Sequence, residues 1–335
     1  MKPQITIKDL ARELNISTST VSRALQNHPD ISKATIARVQ ECAKRRHYKP
    51  NTRALSLKLQ RTNIIGVMIP EMVHNFFSSV VAGIEDVAGE KGYNVILCQT
   101  SESSEKEAKC IDTLLTAHAS GILTSVSKET TDFSHFKNIV EEDTPIVFFD
   151  RICPDIESDS VVTDDYTGAY NLVSHLIKTG CKRIAFYGAP EHLKIAQDRK
   201  RGYLNALKDN GIRADESLIF ECDNRANAIE LTSKILRGAN HPDAFFAVND
   251  DTASGIITAA KRAGKRIPEE ISVCGFGDGA VAQISDPSIT TVEQNGYKMG
   301  AEACHLLIKR IESKEQIPFT QNIVPTKLII RESTR

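Results

Sequence analysis

From Asn63 onward the chain alternates short apolar, often β-branched runs with longer stretches of helical periodicity, and this alternation limits the possible folds more than any other feature. The runs fall at residues 64–69, 94–98, 121–124, 145–149, 161–163, 183–187, 218–221, 244–248, 272–274 and 290–292, with a last one at 328–330. Between them, residues 77–91, 105–117, 166–179, 197–210, 252–263 and 298–311 repeat apolar side chains at helical spacing. Strands that are apolar throughout must be covered on both faces, and helical crossovers supply that cover, so parallel α/β sheets are expected. Roughly ten strands divide better between two sheets than into one. The reading is a two-lobed body, with the chain crossing between lobes near Asp165, Glu293 and Val324.

Charge separates this body from what precedes it. Residues 1–61 carry 13 lysines and arginines against 4 acids, a net of +9 inside a chain whose formal charge is −1. A short basic head on an acidic body suggests a polyanion as the partner of the head. The head reads as three helices. Thr6 with Asp9 three residues later has the form of a capping box. Ile7, Leu10, Ala11 and Leu14 then share one face, and Asn15 suits a left-handed stop. Ser17 can cap a second helix over residues 18–26, and Ser32 a third to about His47. Two short helices joined by about three residues make a helix-turn-helix. The outer face of the second shows Thr18, Ser19, Ser22 and Arg23, short polar groups and one long base suited to a major groove.

Residues 6–25, TIKDLARELNISTSTVSRAL, resemble the N-terminal signature of the lac repressor family almost position for position, with Asn15 where the family often has glycine. The resemblance implies an all-α DNA-binding headpiece and a periplasmic-binding-protein-like sensor. It puts Thr18, Ser19 and Arg23 at base-reading positions, and Thr6, Ser17, Thr20, Ser22, Asn27 and His28 mostly on phosphates. Pro50 ends the third helix, and Asn51 can cap a segment over residues 52–59 that is too short to hold as an isolated helix. In the family the matching segment enters the minor groove and wedges a leucine between base steps. By register that leucine is Leu57, with Ala54 and Lys58 alongside. The expected division is a headpiece at 1–49, a hinge at 50–62 and an effector-binding and dimerisation domain at 63–335. Within the last, lobe 1 spans 63–164 and 294–323, and lobe 2 spans 165–293 and 324–335.

Ligands of open α/β sheets sit beyond the carboxyl ends of the strands. The residues there are Asn75, Phe76, Phe77, Asp150, Arg151, Asp164, Asn249, Asp250, Phe276 and Asp278. By resemblance Arg199 matches the family's effector-binding arginine in D-R-x-x-G-[FY]. Asp278 stands one position later than the family's acid because Gly277 intervenes. Rings, carboxylates and a guanidinium suit a sugar or sugar phosphate, with a purine or nucleoside as the alternative. Each acid at a strand end could instead cap the following helix, above all Asp164, Asp250 and Asp251.

Other functions find little support. Gly275, Gly277 and Ala280 fit a dinucleotide fingerprint, but Pro287 leaves room for only a turn or two of helix. No phosphate-binding loop, nucleophile elbow or zinc-protease motif occurs, so an enzyme is not expected. The eight cysteines are scattered and read as free buried thiols, and the nine histidines lack ligand spacing, so neither metal nor cofactor is expected. Residues 1–13 mix acids and bases where a secretion signal needs an apolar run, and no apolar run reaches membrane-span length. A cytoplasmic, nucleoid-associated homodimer on a near-palindromic operator is the expectation, without a tetramer-forming tail. A solute-binding protein is the rival reading, for which the basic head would have no use.

Overall fold

The computed structural model describes residues 5–46, 48, 62–73 and 75–335. The hinge positions Asn51, Ala54, Leu57 and Lys58 lie outside the described residues. Residues 1–62 and 63–335 form two separate compact units.

The first unit holds α1 (Ile7–Leu14), α2 (Thr18–Leu25) and α3 (Lys33–Arg45). Each begins where the sequence offers a hydroxyl. Thr6 and Asp9 form the reciprocal capping box, Ser17 accepts from the Thr20 N–H, and Ser32 from the Thr35 N–H. Asn15 takes φ 52° and ends α1 in the left-handed region. Leu10, Ala11, Val21, Ala24, Val39, Cys42 and Ala43 close a small core. The third helix stops at Arg45, short of the expected His47.

The second unit contains three sheets. β1 (Ile64–Ile69), β2 (Asn94–Gln99), β3 (Gly121–Thr124), β4 (Ile146–Phe149), β5 (Asp159–Thr163) and a late strand, β11 (Gln321–Val324), form a parallel sheet in the order β11-β5-β4-β3-β1-β2. β6 (Ile184–Gly188), β7 (Ile219–Glu221), β8 (Ala244–Ala247) and β9 (Ser272–Cys274) form a second parallel sheet in the order β7-β6-β8-β9. β10 (Thr291–Glu293) and β12 (Lys327–Ile329) pair antiparallel. Bridges from Cys274 to Thr290 and from Gly277 to Glu293 tie this third sheet to the second. The chain passes between lobes after β5, after β10 and after β11.

Strand alternation explains the two-sided cores. Ile65, Val67 and Ile69 face α4 (Asn75–Glu90) and α12 (Gly296–Glu312), while Met68 joins Ile122, Ile146 and Phe148 on the other face. In the second lobe Tyr187 and Phe245 face one way, Phe186 and Phe246 the other. Each such side chain contributes roughly 1.5–3 kcal/mol by leaving water.

Several element bounds differ from expectation. β11 was not expected: it is an edge strand with exposed Gln321 and Ile323, and so lacks an apolar run. The run at 218–221 begins as a 3-10 turn, Glu216–Leu218, because Asp215 accepts from the Ser217 N–H. β12 lies one residue earlier than the run at 328–330. α5 (Ser104–Thr116) starts one residue early, and α4, α8 (Lys194–Asp209), α10 (Asp250–Arg262) and α12 start two or three early. Two further helices, α6 (Ser134–Glu141) and α9 (Arg225–Ile235), cover sheet faces where no helix was named. After the Gly275–Ala280 fingerprint comes only α11 (Ala280–Ile284), five residues long, as Pro287 required.

Candidate functional site

Two sites emerge, one in each unit. In the headpiece, Thr18 and Ser19 stand exposed in the first turn of α2, with Arg23 exposed further along it. The Ser17 hydroxyl lies 2.8 Å from both the Ser19 and the Thr20 hydroxyls, so the cap also fixes its neighbours. Ser22 is half-buried. Asn27 adopts φ 52° and accepts from the Gln40 amide at 2.8 Å, and the His28 N–H donates to the Arg23 carbonyl. The turn after α2 is thus built by two of the residues that the resemblance set on phosphates. Thr6 likewise donates its hydroxyl to Asp9 at 2.7 Å. Among the described residues Arg23 forms no ion pair, whereas Arg45 and Arg46 both bind Glu13, at 2.7 and 2.9 Å.

The second site is the cleft between the lobes, bounded by strand ends from both. Arg199 on α8 is 4% exposed. Its guanidinium donates to Asp165 at 2.7 Å and to the Val248 carbonyl at 2.6 Å, and it lies 3.9 Å over the Phe276 ring. Asp165 opens α7 (Asp165–Lys178). Burial raises its carboxyl above the ordinary range, and Arg199 opposes that shift. Asp150 follows β4 on the opposite lobe, 6% exposed and at φ 59°, a strained conformation for a non-glycine residue. Among the described residues its carboxylate makes no hydrogen bond, and its nearest cation is Arg151, 3.9 Å away. Burial pushes it up to about 6, and Asp165 across the cleft adds to the effect.

Arg151 binds the Glu102 carboxylate at 2.7 and 3.0 Å, leaving its buried Nε without a partner. Burial would lower its pKa, but Glu102 and Asp150 outweigh that and raise it. Asp250 accepts from the Thr291 hydroxyl at 2.5 Å and the Gly279 N–H at 2.8 Å, and burial pushes it up to about 6. Gly275 packs so closely that a Cβ there would strike the Asp250 carboxylate. Asp278 pairs with Arg331 at 2.6 Å, and Asn75 approaches Gly279 from the other lobe.

Two caps are resolved. Asp164 is the N-cap of α7, accepting from the Thr167 N–H at 3.0 Å. Asn249, not Asp250 or Asp251, caps α10, accepting from the Thr252 N–H at 2.7 Å. The aromatic expectation needs correcting. Phe77 and Phe276 are buried, at 4% and 2% exposure, and support charged groups from beneath rather than lining open space. Phe76 is half-buried and packs edge-on against Phe77 at 5.2 Å.

Sequence reasoning missed the groups that join the lobes. Lys128, after β3, reaches Asp223, after β7, at 3.0 Å, and the His192 ring donates to the Lys128 carbonyl at 2.7 Å. Ser125, Thr163 and Thr124 carry buried hydroxyls at the ends of β3 and β5 that find no hydrogen-bond partner among the described residues. The strand-end rule applied to β3 and β7 would have found Ser125, Lys128 and Asp223.

Family models match stretches of both units. Residues 6–51 match bacterial regulatory proteins of the lacI family, and residues 173–334 match the periplasmic binding protein-like domain. The ribose operon repressor of Halalkalibacterium halodurans is 32% identical, over 98% of this chain and 97% of its own. The transcriptional repressor CytR of Escherichia coli K12 is 32% identical, over 98% of this chain and 96% of its own. A solved complex of the transcriptional regulator CelR with cellobiose superposes with a TM-score of 0.75 at 26% identity, covering 98% of this chain and all of that one.

Proposed function

The chain belongs to the lacI family of bacterial regulatory proteins, and on that premise we propose that it is a homodimeric repressor whose hold on operator DNA is set by a sugar-like effector bound between its lobes. It is a DNA-binding regulator, as its relatives are, and not an enzyme. The observation that carries the reading is α2: an exposed Thr18–Ser19 turn, pinned by the Ser17 cap, beside an unpaired Arg23. Thr6, Thr20, Ser22, Asn27 and His28 would hold phosphates around it. Leu57, with Asn51, Ala54 and Lys58, would enter the minor groove from a hinge at residues 50–62.

The effector would occupy the strand ends around Arg199, Asp150, Arg151, Asp250, Asn249, Asp278, Asn75 and Phe76. Ribose and cellobiose stand in the names of two similar proteins and suggest a sugar here. A homodimer is supported by exposed apolar side chains on both lobes: Val73 (82%) and Leu97 near the free edge of β2, and Ile284 (79%) beside a groove lined by Arg225, Ile257, Thr258 and Lys261. Ligand binding would change lobe closure and so the spacing of the paired hinges, a coupling of typically ~1–3 kcal/mol. A cytoplasmic protein on the nucleoid fits that role.

The test is selection of duplexes from a random pool by the purified full-length chain, followed by anisotropy titration against random competitor. A near-palindromic site bound at least about 10³-fold over competitor is expected, the lower range for specific regulators. Loss of all preference, with or without sugars, would refute the reading. Arg23→Ala should relax base preference, and Leu57→Ala should weaken the operator while leaving effector binding intact.

A further inference from the structure

We infer that the effector is an uncharged polyhydroxy molecule, a free sugar or nucleoside, and that the cleft rejects its phosphorylated form. The inference rests on the effector reading above and sharpens it.

Among the described residues, four arginines and lysines stand at the cleft, and each is already matched to a carboxylate. Arg151 holds Glu102 through both oxygens, Lys128 pairs with Asp223, Arg199 with Asp165, and Arg331 with Asp278. Asp150 and Asp250 are left over. Neither has a dedicated cation, and Asp250 is held only by a hydroxyl and a backbone N–H. Among the described residues, a phosphate entering here would meet two surplus carboxylates and no cation without a carboxylate partner. Its dianion would need Lys128 or Arg151 to abandon a partner at 3.0 Å or less.

The unpartnered buried groups point the same way. Ser125 and Thr163 offer hydroxyls at the ends of β3 and β5, which flank β4 in the sheet, and Asp150 at the end of β4 offers acceptors. Arg151 Nε–H offers a donor beside them. This mixed set suits hydroxyl groups, which donate and accept at one atom, whereas a phosphate brings acceptors alone. Burial raises both carboxyls to about 6, and Asp150, which among the described residues accepts no hydrogen bond, has room for a donor.

The experiment is calorimetry on the full-length protein with matched probes: D-ribose and ribose 5-phosphate, D-glucose and glucose 6-phosphate, cytidine and cytidine 5′-monophosphate. Selected-operator affinity is read alongside. In any pair that binds, the free member should bind and its phosphate should bind roughly 100-fold more weakly. Asp223→Asn, which releases Lys128, should narrow that ratio about tenfold, and Asp150→Asn should narrow it by removing a surplus charge. A phosphorylated member bound as tightly as its free partner overturns the inference while leaving the effector reading intact. Silence from every probe, with operator binding preserved, overturns the sugar-like effector reading and this inference with it.

Discussion

The headpiece and the cleft use positive charge in opposite ways. In residues 1–61 bases outnumber acids 13 to 4, and Arg23 stands exposed on α2, with no ion pair among the described residues. In the cleft each guanidinium or ammonium is bound to a carboxylate of its own fold. Unpaired charge at a surface attracts a polyanion through counterion release. Paired charge in a buried site instead presents directional donors, and leftover carboxylates add acceptors, a mixed set that suits hydroxyl groups. On the proposed reading, the ligand class of each region goes with whether its cations are already matched.

Ionic strength is the strongest way to break this contrast. Operator affinity should fall about 10³–10⁵-fold between 50 and 200 mM salt, as expected for six to ten phosphate contacts. Effector affinity over the same range should change by less than about twofold, because a neutral ligand releases no counterions. Equal slopes for the two ligands, measured by anisotropy and calorimetry, would erase the distinction.

Next in size is Arg199→Ala. It strands the Asp165 carboxylate in a site where both residues are under 5% exposed, at a cost of about 3–5 kcal/mol to the sensor unit. Urea unfolding should show that loss, and the folded fraction should bind operator without responding to effector. A normal response would remove Arg199 from the site.

Asp150→Asn should act in the other direction. Asp150 titrates near 6 in the folded chain, above its ordinary value near 3.8. The native state therefore holds this proton more firmly than the unfolded state, and stability falls as pH rises from about 4 to 6, then levels. An uncharged Asn escapes that penalty, so the variant should be more stable by about 2–3 kcal/mol at pH 7.5. The gain should hold down to about pH 6 in thermal melts, shrink from there towards pH 4, and come with weaker effector binding. A variant less stable at pH 7.5 would show that Asp150 supports the fold rather than the ligand.

What could be read in advance follows from the range of the interactions. Caps and periodicity are local, so Thr6–Asp9, Ser17, Ser32 and the left-handed Asn15 were legible, as was the alternation behind both parallel sheets. The burial of Phe77 was legible too, since Val80, Val81 and Ile84 share its helical face. Long-range pairing was not: 95 positions separate Lys128 from Asp223 across the lobes, and 49 separate Glu102 from Arg151 within one lobe. Nothing local records such partners. β11 escaped because one exposed edge strand needs no apolar run, and Asp250 was open to a capping role until the helix start was fixed one residue after Asn249.

The smallest expected effect tests the headpiece side of the contrast. Thr6 serves the fold through a local reciprocal bond, accepting from the Asp9 N–H at 3.3 Å while the Thr6 N–H donates to the Asp9 carboxylate at 2.9 Å. Thr6→Ala removes half of that box and should cost about 1 kcal/mol of headpiece stability, whereas Thr6→Ser should restore it. Hydrogen exchange on the full chain would read the loss in α1 alone, with β1 and β4 unchanged. Operator affinity measured beside it separates two roles for one hydroxyl. If Ser rescues stability and affinity together, the cap and the phosphate contact share that oxygen. If Ala leaves exchange untouched yet weakens the operator, Thr6 serves DNA and the box is dispensable.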